Sequence, residues 1–255
     1  MISIDLNSDM GERPAALQDG SEEELMRWIT SANIACGGHA GNEETMELTV
    51  RLAVKHGVRV GAHPGFPDRT NFGRLEMSLS PDEIRSTVYE QVRALALVAK
   101  KVKADLVHVK PHGALYNAAA KSASVASAIS DGVAKWSRDL ILVGLVHSLM
   151  LDVWASHGFR VAGEAFADRA YEPDGSLRSR KFHDALVIDP KKAAERALRI
   201  AQTGIVTSVD GSEITVKAKT LCIHSDTPDS HLIARTVREG LEQAGISVKP
   251  LMLLG

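Results

Sequence analysis

What this 255-residue chain has little of narrows the field before any motif is read. It carries two cysteines, Cys36 and Cys222, each in an apolar, strand-like context. So few thiols exclude a disulfide-stapled scaffold, and reduced, buried thiols in a cytoplasmic protein are the expectation. Charge of either sign is not in excess: the formal net charge is −2. That balance gives no electrostatic reason to expect nucleic acid or an anionic membrane as partner. No apolar run is long enough to span a bilayer, and the start of the chain lacks the basic-then-apolar pattern of a secretion signal. There is no HExxH, no paired CxxC and no GxxxxGK[ST], so neither a strong metal motif nor a standard phosphate-binding loop is present. Low-complexity stretches and long linkers are absent too. With 44% hydrophobic residues, the chain is expected to form one domain over residues 1–255.

What is present centres on LVHVKPHGALY, residues 106–116. Strand side chains alternate between faces, so His108, Lys110 and His112 point away from Val107 and Val109. Pro111 cannot donate to a sheet ladder and should end the strand. The same layout recurs along the chain. In ISIDLNSD (2–9), Asp5, Asn7 and Asp9 share one face, opposite Ile4 and Leu6. In ANIACGGH (32–39), a short apolar strand meets Gly37-Gly38 and then His39. VRVGAH (58–63) is closed by Pro64 with His63 at its tip. Residues 160–167 place Glu164 and then Asp168 on one face, and TLCIHSD (220–226) does so with Cys222, His224 and Asp226.

Between these strands lie helical patterns. Ser80-Pro81-Asp82-Glu83 is a capped helix start, followed by a buried stripe through Ile84, Val88, Val92 and Leu95. An alanine-rich helical region runs from Tyr116 to about Trp136, and LILVGLV (140–146) is apolar on both faces, as a buried parallel strand should be. Ala185–Ile188 reads as a short strand or edge segment. Asp210-Gly211 signals a small β-hairpin insertion near 205–218. Strand–helix alternation predicts parallel strands with right-handed crossovers. The expected fold is a (β/α) barrel of about seven strands, with a doubly wound open sheet as the alternative.

In either fold a ligand sits at the C-terminal ends of the strands. Asp5, Asn7, Asp9, His39, His63, Lys110, His112, Glu164, Asp168, His224 and Asp226 are expected there, and such a convergence points to catalysis. His56 and His157 stand at helix C-termini, where the helix dipole accounts for them. The arginines after Asp168 suit a solvated loop or a grip on a carboxylate or phosphate. Two chemistries fit: water activated by a divalent metal, or metal-free acid–base hydrolysis.

Several segments together resemble the lactam-utilisation family, the A subunits of prokaryotic ATP-dependent 5-oxoprolinase. They are DLNSDMGE (5–12), NIACGGHAG (33–41), GAHPGFPD (61–68) with FGR (72–74), KPHGALY (110–116), EAFADRAY (164–171) and HSDTP (224–228). Two departures are Asn42-Glu43, where Asp-Pro is expected, and Ser225, where glycine is expected. The resemblance implies a seven-stranded barrel like those of glycoside hydrolases and polysaccharide deacetylases. It implies conversion of 5-oxo-L-proline, ATP and water to L-glutamate, ADP and phosphate, with partner subunits B and C. On this reading the catalytic set is Asp5, Asp9, His63, Lys110, His112, Glu164, Asp168 and His224. Substrate contacts fall to Asn7, Glu12, His39, Arg74, Tyr116, Arg169 and Asp226. A divalent metal, if present, would be held by Asp5, His63, His112 and His224. A homo-oligomer stays open, as do two other functions: a stand-alone metal-dependent deacetylase or amidohydrolase, and a non-catalytic substrate-binding subunit.

Overall fold

The computed structural model describes residues 2–251, so the expected span 1–255 runs past the described residues at both ends. Seven strands close a parallel barrel: β1 (Ser3–Met10), β2 (Ser31–Ala35), β3 (Arg59–His63), β4 (Leu106–Val109), β5 (Ile141–Leu145), β6 (Arg160–Phe166) and β9 (Thr220–Cys222). Closure comes from β9, which pairs parallel to β6 on one side and to β1 on the other. A short strand β10 (Ser247–Val248) adds outside β1. The antiparallel pair β7 (Ile205–Thr207) and β8 (Glu213–Thr215) lies at the Asp210-Gly211 hairpin signal, joined by a loop that the Asp210 carboxylate ties to Ser208 and Ser212.

Alternation decides what faces where. Outward residues such as Leu6, Ile34, Val60, Val109, Leu142, Ala165 and Leu221 are buried in one apolar core with the surrounding helices. Those helices are set by local signals. Helix α3 (Glu43–His56) starts on an Asn42–Thr45 capping box and ends at Gly57, whose φ of 68° is open to glycine. Helix α4 (Pro81–Lys101) starts on the Ser80–Glu83 box and buries Ile84, Val88, Val92 and Leu95. Each fully buried Leu, Ile or Val contributes about 1.5–3 kcal/mol relative to exposure, so this shell holds the barrel shut. Inside the barrel the residues are mostly polar, except for a small plug of Ile141, Val143, Ala162 and Leu251.

Two local expectations change. The alanine-rich region is two helices, α5 (Gly113–Lys121) and α6 (Ala123–Ala134). The break falls at Ser122, which is extended and whose hydroxyl accepts from the Val125 amide. Two short helices follow β1, α1 (Pro14–Gln18), with proline at its first turn, and α2 (Ser21–Met26). Ala185–Ile188 makes no strand; one bridge, Leu186 to Arg169, and the Val187 amide on the Asp168 carbonyl tether it instead.

Candidate active site

The interior of the barrel is a stack of polar layers, deepest at the N-terminal ends of the strands. At the floor, Asp5 accepts hydrogen bonds from the hydroxyls of Thr30 (2.7 Å), Ser31 (2.6 Å) and Thr220. Burial, against these hydroxyl bonds, pushes its carboxyl up to about 6. One layer up, Asn33 donates to Asn7 and Asp9, both at 2.8 Å, and Asn7 donates to Glu164 at 2.9 Å. His108 donates to Asn33 at 2.8 Å. Burial, helped by the nearby Lys110, drives its imidazole down to about 3, so it stays neutral. Gly61 opposite must be glycine: a Cβ there would lie 2.0 Å from His108 Nε2.

Lys110 joins this layer to the mouth. Its ammonium lies 2.9 Å from Asp9 Oδ1, 2.8 Å from Glu164 Oε1 and 3.2 Å from Cys222 Sγ. Tyr116 donates to the other Glu164 oxygen at 2.9 Å. Burial works against the charges of Asp9 and Lys110. His63 and Lys110 nevertheless hold Asp9 well below the usual carboxylate range, while Asp9 keeps Lys110 protonated.

At the mouth, loops bring in what strands alone could not. Glu12 follows β1, His39 follows β2, His63 ends β3 and His112 follows β4. Glu12 Oε1 lies 2.9 Å from His39 Nε2, 3.1 Å from His112 Nδ1 and 3.7 Å from His63 Nε2. His63 Nδ1 is 2.7 Å from the Lys110 carbonyl, and His112 Nε2 is 2.9 Å from the Phe72 carbonyl. A carbonyl only accepts, so those two nitrogens carry the protons. Phe72 itself has φ of 55°, a left-handed conformation that non-glycine residues rarely adopt. Gly73 packs so tightly that a Cβ would sit 2.7 Å from His39 Cβ. Burial drives His39 down to about 4. For His63, burial acts in the same direction, but the Asp9 and Glu12 carboxylates overcome it and raise the group.

Across the mouth, Asp168 accepts from the His224 amide (2.9 Å), His224 Nδ1 (3.1 Å) and Thr227 Oγ1 (2.7 Å). The His224 ring stacks on Phe166 at 5.4 Å. Arg169 is buried; its Nη2 donates to the Arg178 carbonyl, and its Nε has no partner among the described residues. Asp226 is claimed by Arg74 (2.6 Å) and Arg180 (2.7 Å). These groups enclose a cleft of about 420 Å³.

Among the expected site residues, Asp9, Glu12, His63, Arg74, Lys110, His112, Tyr116, Arg169, His224 and Asp226 line this cleft. Asn7 and Glu164 lie beneath it, bonded to the cleft residues. His39 backs Glu12 and Asp168 backs His224. Asp5 stands apart: it precedes Asp9 by four strand positions, about 13 Å at ~3.3 Å per residue. It therefore cannot share a metal with His63, His112 and His224. His224 belongs with Asp168, across from the Glu12 cluster. Arg180, Phe166 and Cys222 join the site beyond the expected set. Of these, Cys222 shares the strand face of His224 and is within reach of alternation.

The comparisons with known proteins come to one family. The LamB/YcsF family model matches residues 4–254. A 5-oxoprolinase A subunit from Chloroflexus aggregans is 48% identical over 98% of this chain and 99% of its own. The crystal structure of a lactam utilization protein from Thermus thermophilus aligns at a TM-score of 0.90 and 44% identity, over 97% of this chain and 99% of that one. A family 4 carbohydrate esterase from Streptomyces lividans shares the barrel alone, at a TM-score of 0.53 and 12% identity over 97% of this chain and 91% of that one. A closed seven-stranded parallel barrel with this mouth, matched from end to end at such identity, makes the chain a member of the LamB/YcsF family.

Proposed function

We propose that this chain is the A component of a cytoplasmic, ATP-dependent 5-oxoprolinase that opens 5-oxo-L-proline to L-glutamate together with subunits B and C. One observation carries the reading. A carboxylate braced by a buried lysine, an Asp–His pair and a buried arginine line one cleft, in a chain whose relatives bear that name.

A lactam is a resonance-stabilised amide, and its carbonyl carbon resists water at neutral pH. Transfer of the ATP γ-phosphoryl group to the lactam oxygen gives a phosphorylated imidate and ADP, and that carbon is a far better electrophile. Water then adds at this carbon and loses its proton to Asp9, whose Oδ1 is already fixed by Lys110 and Asn33. The imidate nitrogen takes a proton from His224, oriented by Asp168, as water adds; the ring C–N bond then breaks as the new hydroxyl passes its remaining proton to the departing nitrogen and becomes the carbonyl. The product is an acyl phosphate, which a second water converts to glutamate and phosphate. Arg169 pairs with the substrate carboxylate in a planar, two-pronged geometry. Glu164 and Asp168 have both oxygens committed to neighbours, which supports positioning roles and leaves Asp9 as the base.

The test is a reconstitution of the chain with subunits B and C. Phosphate and glutamate should appear in equal amounts, and only with both ATP and 5-oxoproline. Asp9→Asn and His224→Ala should each lower that rate by about 10²–10⁴. Turnover of an N-acyl substrate by the chain alone, without ATP, would replace this reading with a deacetylase. Tight 5-oxoproline binding with rates indifferent to both substitutions would make the chain a delivery subunit.

A further inference from the structure

The Glu12 cluster has a feature that acid–base chemistry leaves unexplained. His63 and His112 each spend one ring N–H on a backbone carbonyl, so the remaining nitrogens, His63 Nε2 and His112 Nδ1, face each other at 3.0 Å. When both rings are neutral, as ligation requires, both carry lone pairs, and the Asp9 and Glu12 carboxylates that favour a proton on His63 favour a metal cation at the same place. Glu12 Oε1, another acceptor, lies 3.1 Å and 3.7 Å from His112 Nδ1 and His63 Nε2 respectively. Three electron-pair donors crowd one point from the loop after β1, the end of β3 and the turn after β4, in a buried setting where mutual repulsion is poorly screened.

We propose that Glu12, His63 and His112 form a binding site for one divalent transition-metal ion of the zinc class, its remaining position open to the cleft. The proposal deepens the reading of the cleft as a hydrolytic centre and rests on it for what the ion is used for. The donor set fits. Two imidazoles and one carboxylate are a recurrent catalytic zinc set, with bonds near 2.0–2.2 Å. Tetrahedral geometry then puts ligand atoms roughly 3.3–3.5 Å apart, and the three separations here, 3.0, 3.1 and 3.7 Å, bracket that value. Both imidazoles also have the outer support that metal-bound histidines have, an N–H held by a backbone carbonyl.

His39 lies within reach of the same point but is not assigned as a ligand. Its ring is stacked on His112, centroids 3.6 Å apart and planes 4° from parallel. An ion in the plane of one ring is well out of the plane of the other. His39 instead donates to Glu12 from behind, and it does not line the cleft, whereas the three ligands do. In a second group of potential ligands, Asp9, Cys222 and His224, two members already hold a cation, since the Lys110 ammonium is 2.9 Å from Asp9 and 3.2 Å from Cys222. Such an ion supplies Lewis acidity toward an oxygen of substrate or water. Asp9, 3.3 Å from His63 Nε2, stands beside the open position to receive a proton.

The test uses the 255-residue chain by itself, stripped with a chelator and shown by circular dichroism to be folded. Cobalt(II) and zinc are then added, and bound metal is counted by mass spectrometry of the elements, with cobalt coordination read from its visible spectrum. One equivalent per chain and a four- or five-coordinate cobalt spectrum are expected. Glu12→Gln and His112→Gln should weaken binding by more than about 100-fold. His39→Phe, which keeps the stack but removes the bond to Glu12, should keep the stoichiometry and weaken binding by about 10–100-fold at most. A folded wild-type chain that takes up neither ion, or a triple Glu12→Gln, His63→Gln, His112→Gln variant that binds as tightly as wild type, overturns the site. Metal uptake without 5-oxoproline-dependent ATP hydrolysis in the reconstituted complex would instead overturn the lactam reading and leave the ion site standing.

Discussion

Asp5 at the floor and Glu12 at the mouth are two buried carboxylates at the two ends of β1, and they behave in opposite ways. Asp5 has three hydroxyl donors and, among the described residues, no cation beside it, and burial pushes its carboxyl up to about 6. Glu12 is buried too, yet the imidazoles of His112 and His39 overcome burial and hold it far below the carboxylate range. The lesson is that burial of an acidic group says little by itself. Its partners decide whether it still titrates just below neutrality or stays a fixed charge throughout. Charge in this barrel is gathered at one end, with Lys110 as the bridge between the two regions.

Breaking that bridge should have the largest effect. Lys110→Met leaves Asp9 and Glu164 buried without their shared cation. Removing one member of a buried ion cluster costs about 3–5 kcal/mol, so urea unfolding should show a loss of that order. Turnover in the reconstituted complex should fall below detection, because Asp9 then loses the contact that fixes it. A variant as stable as wild type would mean that the Lys110 charge is not what holds this layer together, and the contrast between the ends of β1 would collapse.

Asp5→Asn sharpens the contrast at the other end. Because the folded-state pKa of Asp5 lies above its ordinary value of 3.8, its contribution to stability is complete below about pH 3.8 and is lost as pH rises through about 6. A shift of that size corresponds to ~3 kcal/mol. The unfolding free energy of wild type minus that of Asp5→Asn should therefore fall by this order between about pH 4 and pH 7 and level off above. Turnover at neutral pH should change little, since Asp5 does not reach the cleft. A large rate loss in a stably folded Asp5→Asn variant would put the floor back into the chemistry.

How far the sequence reaches is visible in the same two residues. Alternation correctly puts Asp5, Asn7 and Asp9 on the inner face, and the seven strands, their parallel order and the cap at Ser80 all follow from local chemistry. Period two reports face and not depth, so Asp5 looks equivalent to Asp9 although it lies near the opposite end of the barrel. Loops are the other blind spot. Nothing in FGR, residues 72–74, announces that the Phe72 carbonyl fixes the His112 tautomer, or that Arg180, in a run of basic residues, reaches Asp226. Those contacts depend on where long loops land after the barrel closes, which local propensity does not encode. The split of the alanine-rich region is closer to hand, since Ser122 is a good cap at the point where the two helices part.

The smallest effect is expected at the rim, where the contrast between ends should fade into solvent. Arg74 is 44% exposed and shares Asp226 with the more enclosed Arg180. Exposed pairs of this kind contribute about 0–1 kcal/mol. Burial opposes the charge of Asp226, but Arg180 and Arg74 bring it down to about 2, and Arg180 alone, with two bonds to the carboxylate, retains most of that. Arg74→Ala should therefore lower stability by less than about 1 kcal/mol, and should raise the KM for 5-oxoproline by a few-fold at most while leaving kcat in place. Arg169→Ala, which removes the buried guanidinium with the unmatched N–H, should raise KM far more. If the two substitutions act alike, substrate is gripped by the rim as a whole, and the depth of a charge in this barrel would not be what assigns its role.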